Sequence, residues 1–193
     1  MNYNKEMNKI INLHKLNNIL LHSCCGPCSS SVIEKLSPYF DITVLFYNPN
    51  IEPKEEYIKR KDEQIKLLEI LNIKYLDIDY LNDEYRSIIK GYEEELENGQ
   101  RCLLCYELRL NKTAKIAKEN NFDLFTTTLT VSPYKNSKII NEVGIKIGKE
   151  NNVLYLVSDF KKEAGYKRSI ELSKKYNIYR QDYCGCIFSK RSK

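Results

Sequence analysis

The chain has 193 residues, 42 % of them hydrophobic and 30 % charged, with a formal net charge of +5. That length suits one domain, residues 1–193, with a two- or three-layer core, and the composition is that of an ordinary soluble globular protein. No apolar run approaches the length of a membrane span, and residues 1–17 alternate polar and apolar without a signal-like core, so they read as a peripheral segment and the cytoplasm is the expected location.

Asn18-Ile19-Leu20-Leu21-His22 is a short apolar run, predicted as a strand, and ends in a thiol-rich turn; Ser29 to Leu36 then reads as a helix. Ile42 to Tyr47 is a second strand, closed by the turn Asn48-Pro49-Asn50. From Glu55 to Leu71, the residues Ile58, Ile65, Leu68 and Leu71 recur at helical spacing and predict an amphipathic helix. Ile73 to Ile78 is the third strand, and the acidic stretch Asp83 to Glu97 is helical in pattern up to Asn98-Gly99.

Beyond a second thiol pair comes a helix with Tyr106, Leu110, Ala114 and Ala117 on one face. Phe122 to Leu129 is a fourth strand, Ser137 to Lys149 a helix carrying Ile140, Val143 and Ile147, and Val153 to Val157 a fifth strand. Strands alternating with helices predict a three-layer α/β fold, a parallel Rossmann-like sheet covered on both faces. In such a sheet every strand-to-helix loop falls on one edge, where ligands collect.

Seven cysteines occupy three tight clusters, Cys24-Cys25-Gly26-Pro27-Cys28, Cys102-Leu103-Leu104-Cys105 and Cys184-Gly185-Cys186, beside only two histidines. In a reducing compartment clustered thiols are metal ligands or redox groups rather than disulfides. Four thiolates satisfy a zinc ion or an iron–sulfur cube, and spacing does not separate the two. The surplus thiols favour redox chemistry over a closed structural site. Cys102 and Cys105 are placed just before a helix, where free backbone N–H groups favour thiolates.

Cys24 and Cys25 are adjacent, and along an extended chain their side chains diverge, which assigns them to different centres. A workable split gives one centre Cys102, Cys105, Cys25 and Cys184, and leaves Cys24, Cys28 and Cys186 to a second metal or the substrate; within each pair the choice is arbitrary. His22, two residues before the leading thiols, is a candidate proton donor or ligand-orienting group, the simpler reading being a hydrogen-bonded histidine at a strand end. The hydroxyl-rich run Thr126 to Tyr134, with Ser132, Tyr134, Lys135 and Lys138, can hold phosphate or sugar hydroxyls at a helix start, although threonines also simply favour strands.

Charge is unevenly placed. Residues 161–193 hold ten Lys or Arg against three acids, a balance of +7, leaving 21 basic and 23 acidic residues elsewhere. Interleaved with Tyr166, Tyr176, Tyr179 and Tyr183, this basic end suits a polyanion whose bases stack on aromatic rings, with Lys161, Lys162, Lys167, Arg168, Lys174, Lys175 and Arg180 as candidate contacts, the alternative reading being a solvated helix face.

Four segments together, His22 to Ser29, Arg101 to Arg109, Ser132-Pro133-Tyr134 and Tyr179 to Ser189, resemble the motifs of the cobalamin-independent epoxyqueuosine reductases, the QueH family. The resemblance runs in order from about residue 19 to residue 189. It implies a fold akin to the adenine nucleotide alpha hydrolases and a cysteine-ligated [4Fe–4S] cluster beside a second mononuclear metal, taken as iron. It also implies reduction of epoxyqueuosine in tRNA, an oxidoreductase step needing two electrons and two protons. Electrons would come from an external low-potential donor such as ferredoxin or flavodoxin, and protons from His22 or Tyr183. In this family the position of Cys28 also accommodates Asp, which fits ligation rather than an essential thiol nucleophile.

Two other readings compete. An ATP-dependent tRNA-modifying enzyme of the same fold group wants a Gly- and Ser-rich phosphate loop where this chain has thiols and a proline. A zinc-stabilised RNA-binding module leaves the surplus cysteines unexplained.

Overall fold

A computed structural model describes residues 2–190; Arg191 and Lys193, counted in the basic end above, lie outside them. Five parallel strands, β1 (Asn18–His22), β2 (Asp41–Leu45), β3 (Lys74–Leu76), β4 (Leu124–Thr127) and β5 (Leu154–Tyr155), form one sheet in the order β3-β2-β1-β4-β5. Helices α2 (Gly26–Leu36), α3 (Lys54–Leu71) and α7 (Gly165–Lys175) cover one face, and α5 (Gln100–Glu119) and α6 (Ser137–Asn151) cover the other. β1 shows why: Ile19 and Leu21 join one core layer and Leu20 the other, all fully buried. Period-two side chains on a strand buried on both sides leave no polar face.

β1 lies between β2 and β4, so the chain winds outward in both directions from it. The loops leaving β1 and β4 therefore part to opposite faces, opening a crevice at the carboxyl edge of the sheet. That crevice is where the first thiol cluster emerges.

Several elements differ from the sequence expectation for local reasons. Residues 1–17 are not wholly peripheral: α1 (Tyr3–Leu13), capped by the Asn2 side chain, buries Met7 and Ile11 in the core. The helix expected from Asp83 to Glu97 is only α4 (Asn82–Ile88), because Gly91 and Asn98 adopt left-handed backbone (φ 88° and 71°) and turn the chain. β4 stops at Thr127, whose hydroxyl accepts from Leu129 N at 3.2 Å and caps a 3-10 turn over Thr128–Val131. α5 begins at Gln100, so Cys102 and Cys105 lie inside its first turns rather than before it.

α3 keeps Leu68 and Leu71 of the expected apolar face on the core, while Ile58 turns outward. The helix buries Tyr57, Arg60, Gln64, Leu67 and Leu68 and leaves Ile58 46 % exposed. Gln64 Oε1 accepts from Ser23 and Ser29 hydroxyls at 2.6 and 3.0 Å, and Arg60 donates to the carbonyls of Cys184 and Tyr183. These polar contacts to the thiol-bearing loops outweigh the burial of one more isoleucine. Leu110→Ala, in the α5 core, is expected to cost about 2–5 kcal/mol in urea unfolding, whereas Ile58→Ala is expected to stay within about 0.5 kcal/mol.

Candidate metal centre

The β1–α2 loop folds its three cysteines onto one another. The chain bends at Cys24, Cys25 is extended as the residue preceding α2, and Cys28 sits in the first turn of that helix behind Pro27. As a result the sulfurs of Cys24, Cys25 and Cys28 all lie within 4.8 Å of one another, with Cys24 and Cys25 Sγ 3.7 Å apart. The expected divergence of the leading pair is thus overturned by the bend, since alternation holds only for a straight extended chain.

The other four thiols form a second group. Cys102, Cys105, Cys184 and Cys186 line one small cavity of about 20 Å³ together with Asn50 and Tyr85. The expected split is corrected accordingly: Cys25 stands with Cys24 and Cys28, and Cys186 with Cys102, Cys105 and Cys184. The C-terminal segment reaches this edge through Gly185, at φ 136°, whose carbonyl accepts from Glu52 N at 2.9 Å. A Cβ at Gly185 would come within 2.9 Å of Ile51 Cγ1 and 3.3 Å of Arg60 Nη1, so both the backbone angle and the close approach require glycine.

Proton bookkeeping in the first group is shared. Thiol hydrogen bonds from Cys25 and Cys28 hold Cys24 well below the usual thiol range, and the same bonds, with burial, push Cys25 to about 12 and Cys28 well above its usual value. Burial likewise raises Cys105 to about 12 and Cys102 less far. Packed, buried thiols of this kind do not ionise together unless a cation neutralises them, and soft metal ions are the cations that thiolates prefer. The donor sets therefore fit metal: three sulfurs in one group, four around one cavity in the other.

Two side-chain cations stand between the groups. Burial alone would lower Arg109, but the sulfurs of Cys105, Cys24 and Cys184 raise it, so its guanidinium stays charged at 2 % exposure. It donates to Asn48 Oδ1 at 2.5 Å and reaches Cys105 Sγ at 3.9 Å. Lys135 is likewise held protonated: burial opposes its charge, and Cys184, Tyr106 and Cys24 more than offset that. Gln181 Nε2 donates to Cys25 Sγ at 2.8 Å, and Thr128 Oγ1 to Cys24 Sγ at 3.3 Å.

Above both thiol groups lies a cleft of about 190 Å³, lined by Cys24, Cys28 and Cys184 and by the expected Ser132, Tyr134, Lys135, Arg180 and Tyr183. Arg180 is fixed there by α7, donating to Ser173 Oγ at 3.1 Å. Lys138, Lys161 and Arg168 are not in its wall. Lys138 lies 3.9 Å from Glu142, Lys161 donates to Asp159 and Ser137, and Arg168 makes two 2.7 Å bonds to Glu34. Lys138 and Lys161 pair with acids four and two residues away, whereas Arg168 meets its partner Glu34 only in the fold.

The expected proton sources also separate. Tyr183 lines the cleft, with its hydroxyl donating to the Glu52 carbonyl at 2.6 Å. His22 is fully buried at the end of β1, its Nδ1 2.8 Å from Thr127 Oγ1 and its Nε2 3.1 Å from the Tyr47 carbonyl and 3.3 Å from Arg109 Nε. Burial first, and Arg109 second, lower its pKa to about 3, so the imidazole is neutral at ordinary pH, and it lies outside the cleft wall. Arg109 and Gln181 fall within the segments that carry the family resemblance and Asn48 in the turn after the second strand, but the sequence pattern assigns none of them a role, and it does not single out Gln64. Arg109 carried a signal: it lies one helical turn after Cys105, on the same side of α5.

The buried neutral imidazole has a pH signature. Below its ordinary pKa of 6.5 the unfolded chain binds a proton at His22 that the native protein does not take up until about pH 3, so stability falls as pH falls through this window. Between pH 6.5 and about pH 5 the loss is expected to be about 1.5 kcal/mol. Urea midpoints of the protein and of His22→Gln at the two pH values check this; equal losses in both would contradict a buried neutral His22.

Comparison with known proteins shows the family. The family described as "Epoxyqueuosine reductase QueH" matches residues 19–192. The chain is 46 % identical over 179 residues to the epoxyqueuosine reductase QueH of Streptococcus pyogenes serotype M1, covering 90 % of this chain and 70 % of the relative. It is 44 % identical to that of Staphylococcus epidermidis over 98 % of this chain and 84 % of the relative. Among solved structures, the U34-tRNA thiolase NcsA from Methanococcus maripaludis with its [4Fe-4S] cluster superposes with a TM-score of 0.58 at 14 % identity, covering 98 % of this chain and 67 % of that one, a likeness of fold alone. The chain belongs to the epoxyqueuosine reductase QueH family of tRNA-modifying oxidoreductases.

Proposed function

We propose that this chain reduces epoxyqueuosine in tRNA to queuosine, with seven cysteines holding two metal groups beside one cleft. The observation that carries this reading is the gathering of a three-sulfur and a four-sulfur group at the same sheet edge, both with members in the cleft wall. Cys102, Cys105, Cys184 and Cys186 would hold a [4Fe–4S] cluster, and Cys24, Cys25 and Cys28 a second, mononuclear metal, taken as iron from the family resemblance, since thiolate ligands suit zinc equally. When bound, these groups supply one-electron transfer and Lewis acidity.

The chain's own residues bind and orient. Tyr134, Tyr166 and Tyr183 in the cleft wall offer aromatic faces for an unstacked base, and Arg180 and Lys135 offer positive charge to phosphate or hydroxyl oxygens. Opening the epoxide to an alkene releases its oxygen as water, consuming two protons and two electrons. Tyr183 is the expected proton source that lines the cleft, and the electrons come from an external low-potential donor such as ferredoxin or flavodoxin. The setting is the cytoplasm, where tRNA is modified; no helix among the described residues is long and apolar enough to cross a membrane. α7 begins at the cleft with Tyr166 and carries the exposed Lys167, Lys174 and Lys175 outward, a path for the tRNA backbone.

Cys102→Ser, purified without air, is expected to lose most of its iron and brown colour and to fall to background in deoxygenation with dithionite, while still binding tRNA. Full retention of activity would remove the cluster from the reaction. Reversing Lys162, Lys167 and Lys174 to Glu is expected to weaken tRNA binding and reduce the slope of log affinity against log salt by about 2–3. Filter binding over a series of salt concentrations measures this, and an unchanged slope would place the RNA elsewhere.

A further inference from the structure

The four-sulfur cavity has polar walls that ligation does not explain. Tyr85, from α4, is 1 % exposed and packs against Cys105 and Cys186. It lines the same cavity as the sulfurs of Cys102, Cys105, Cys184 and Cys186. Arg101, from the first turn of α5, is 2 % exposed and lines the same cavity, its guanidinium over the Phe188 ring at 4.8 Å. One arm of that guanidinium is spent on the 93–95 turn, Nη1 donating to the carbonyls of Glu93 and Glu95 at 2.6 and 2.5 Å. Arg101 Nε is buried and has no hydrogen-bond partner among the described residues.

A buried N–H without an acceptor is rare in native proteins, and an acceptor inside the cavity that Arg101 lines would satisfy it. Sulfur atoms of a group held by Cys102, Cys105, Cys184 and Cys186 are acceptors of that kind. We infer that Tyr85 and Arg101 are positioning residues that donate hydrogen bonds to the sulfurs of the four-cysteine group and so set its reduction potential; this rests on the proposed reading that the group is a [4Fe–4S] cluster.

The direction follows from charge. Taking up one electron adds negative charge that spreads onto the sulfurs, and donors pointing at sulfur stabilise the reduced state more than the oxidised one. Tyr85 and Arg101 therefore raise the potential and make the cluster easier to reduce by the external donor. Arg101 adds a full positive charge in a buried cavity, whereas Tyr85 acts through its hydroxyl alone.

Tyr85→Phe isolates the hydrogen bond, because it keeps the ring, the packing and the charge. In an anaerobic redox titration followed by electron paramagnetic resonance, the variant is expected to keep the iron content of the parent protein. It is expected to disfavour the reduced state about tenfold, a shift of roughly 59 mV to more negative potential for a one-electron couple. Should Tyr85→Phe fail to fold, Arg101→Lys, which keeps the charge but loses the Nε–H donor, is read by the same criterion. Iron retained with an unchanged potential overturns the inference, and so does loss of iron in both variants, which would make the two residues structural. A parent protein without iron after anaerobic purification would instead overturn the cluster reading itself, a failure that the parent's metal analysis reveals before any variant is measured.

Discussion

A charged guanidinium buried in the middle of the protein, that of Arg109, joins the parts on which the site depends. Desolvating such an ion costs several kcal/mol unless partners compensate it. Here Asn48 accepts from it, Cys105 lies against it, and Cys24 and Cys184 act on it through space. Asn48 in turn donates to the Ser23 carbonyl at 2.8 Å, so one network ties α5, the end of β2 and the thiol loop after β1. The dependence is mutual: the sulfurs keep the cation charged, and the cation lowers the cost of bringing anionic sulfurs close together.

The sheet places this network. With β1 central and chain winding away on both sides, the loops after β1 and β4 border a crevice that side chains must fill or a ligand must occupy. Helix starts add to the effect. Cys28 lies in the first turn of α2 and Cys102 in the first turn of α5, and the backbone N–H of Asn98 donates to Cys102 Sγ at 3.3 Å. Unpaired amides and the positive end of a helix are favourable surroundings for sulfur that has lost its proton. The cysteines of the C-terminal segment lie outside the α-helices and are positioned by Gly185 and by Arg60, which donates to the carbonyls of Tyr183 and Cys184.

Polar side chains do much of the packing near the thiols. Gln64 is fully buried yet serves two serine hydroxyls, and Thr127 and Thr128 hold His22 and Cys24. In a low-dielectric interior such bonds are stiff, and stiffness matters where several sulfurs must share one centre. The same requirement explains why α3 turns its arginine and glutamine inward and leaves Ile58 in solvent.

Much of this was legible in the chain. Runs such as Asn18 to His22 and Ile42 to Tyr47, alternating with helical patterns, determine strand, helix and layer because their burial is local and periodic. The chemistry of seven clustered cysteines is equally a property of the residues themselves, as is the pattern that marks the family. What folding alone decided is which sulfur meets which, that His22 is sealed away from the cleft, and that Arg168 faces Glu34 instead of the cleft. Those outcomes depend on one bend at Cys24, on the inward turn of Arg60 and Gln64 from α3 and on pairs of residues more than a hundred positions apart, such as Arg168 with Glu34 and His22 with Thr127. No local periodicity encodes a meeting of that kind; it is fixed only when the sheet brings its loop ends together.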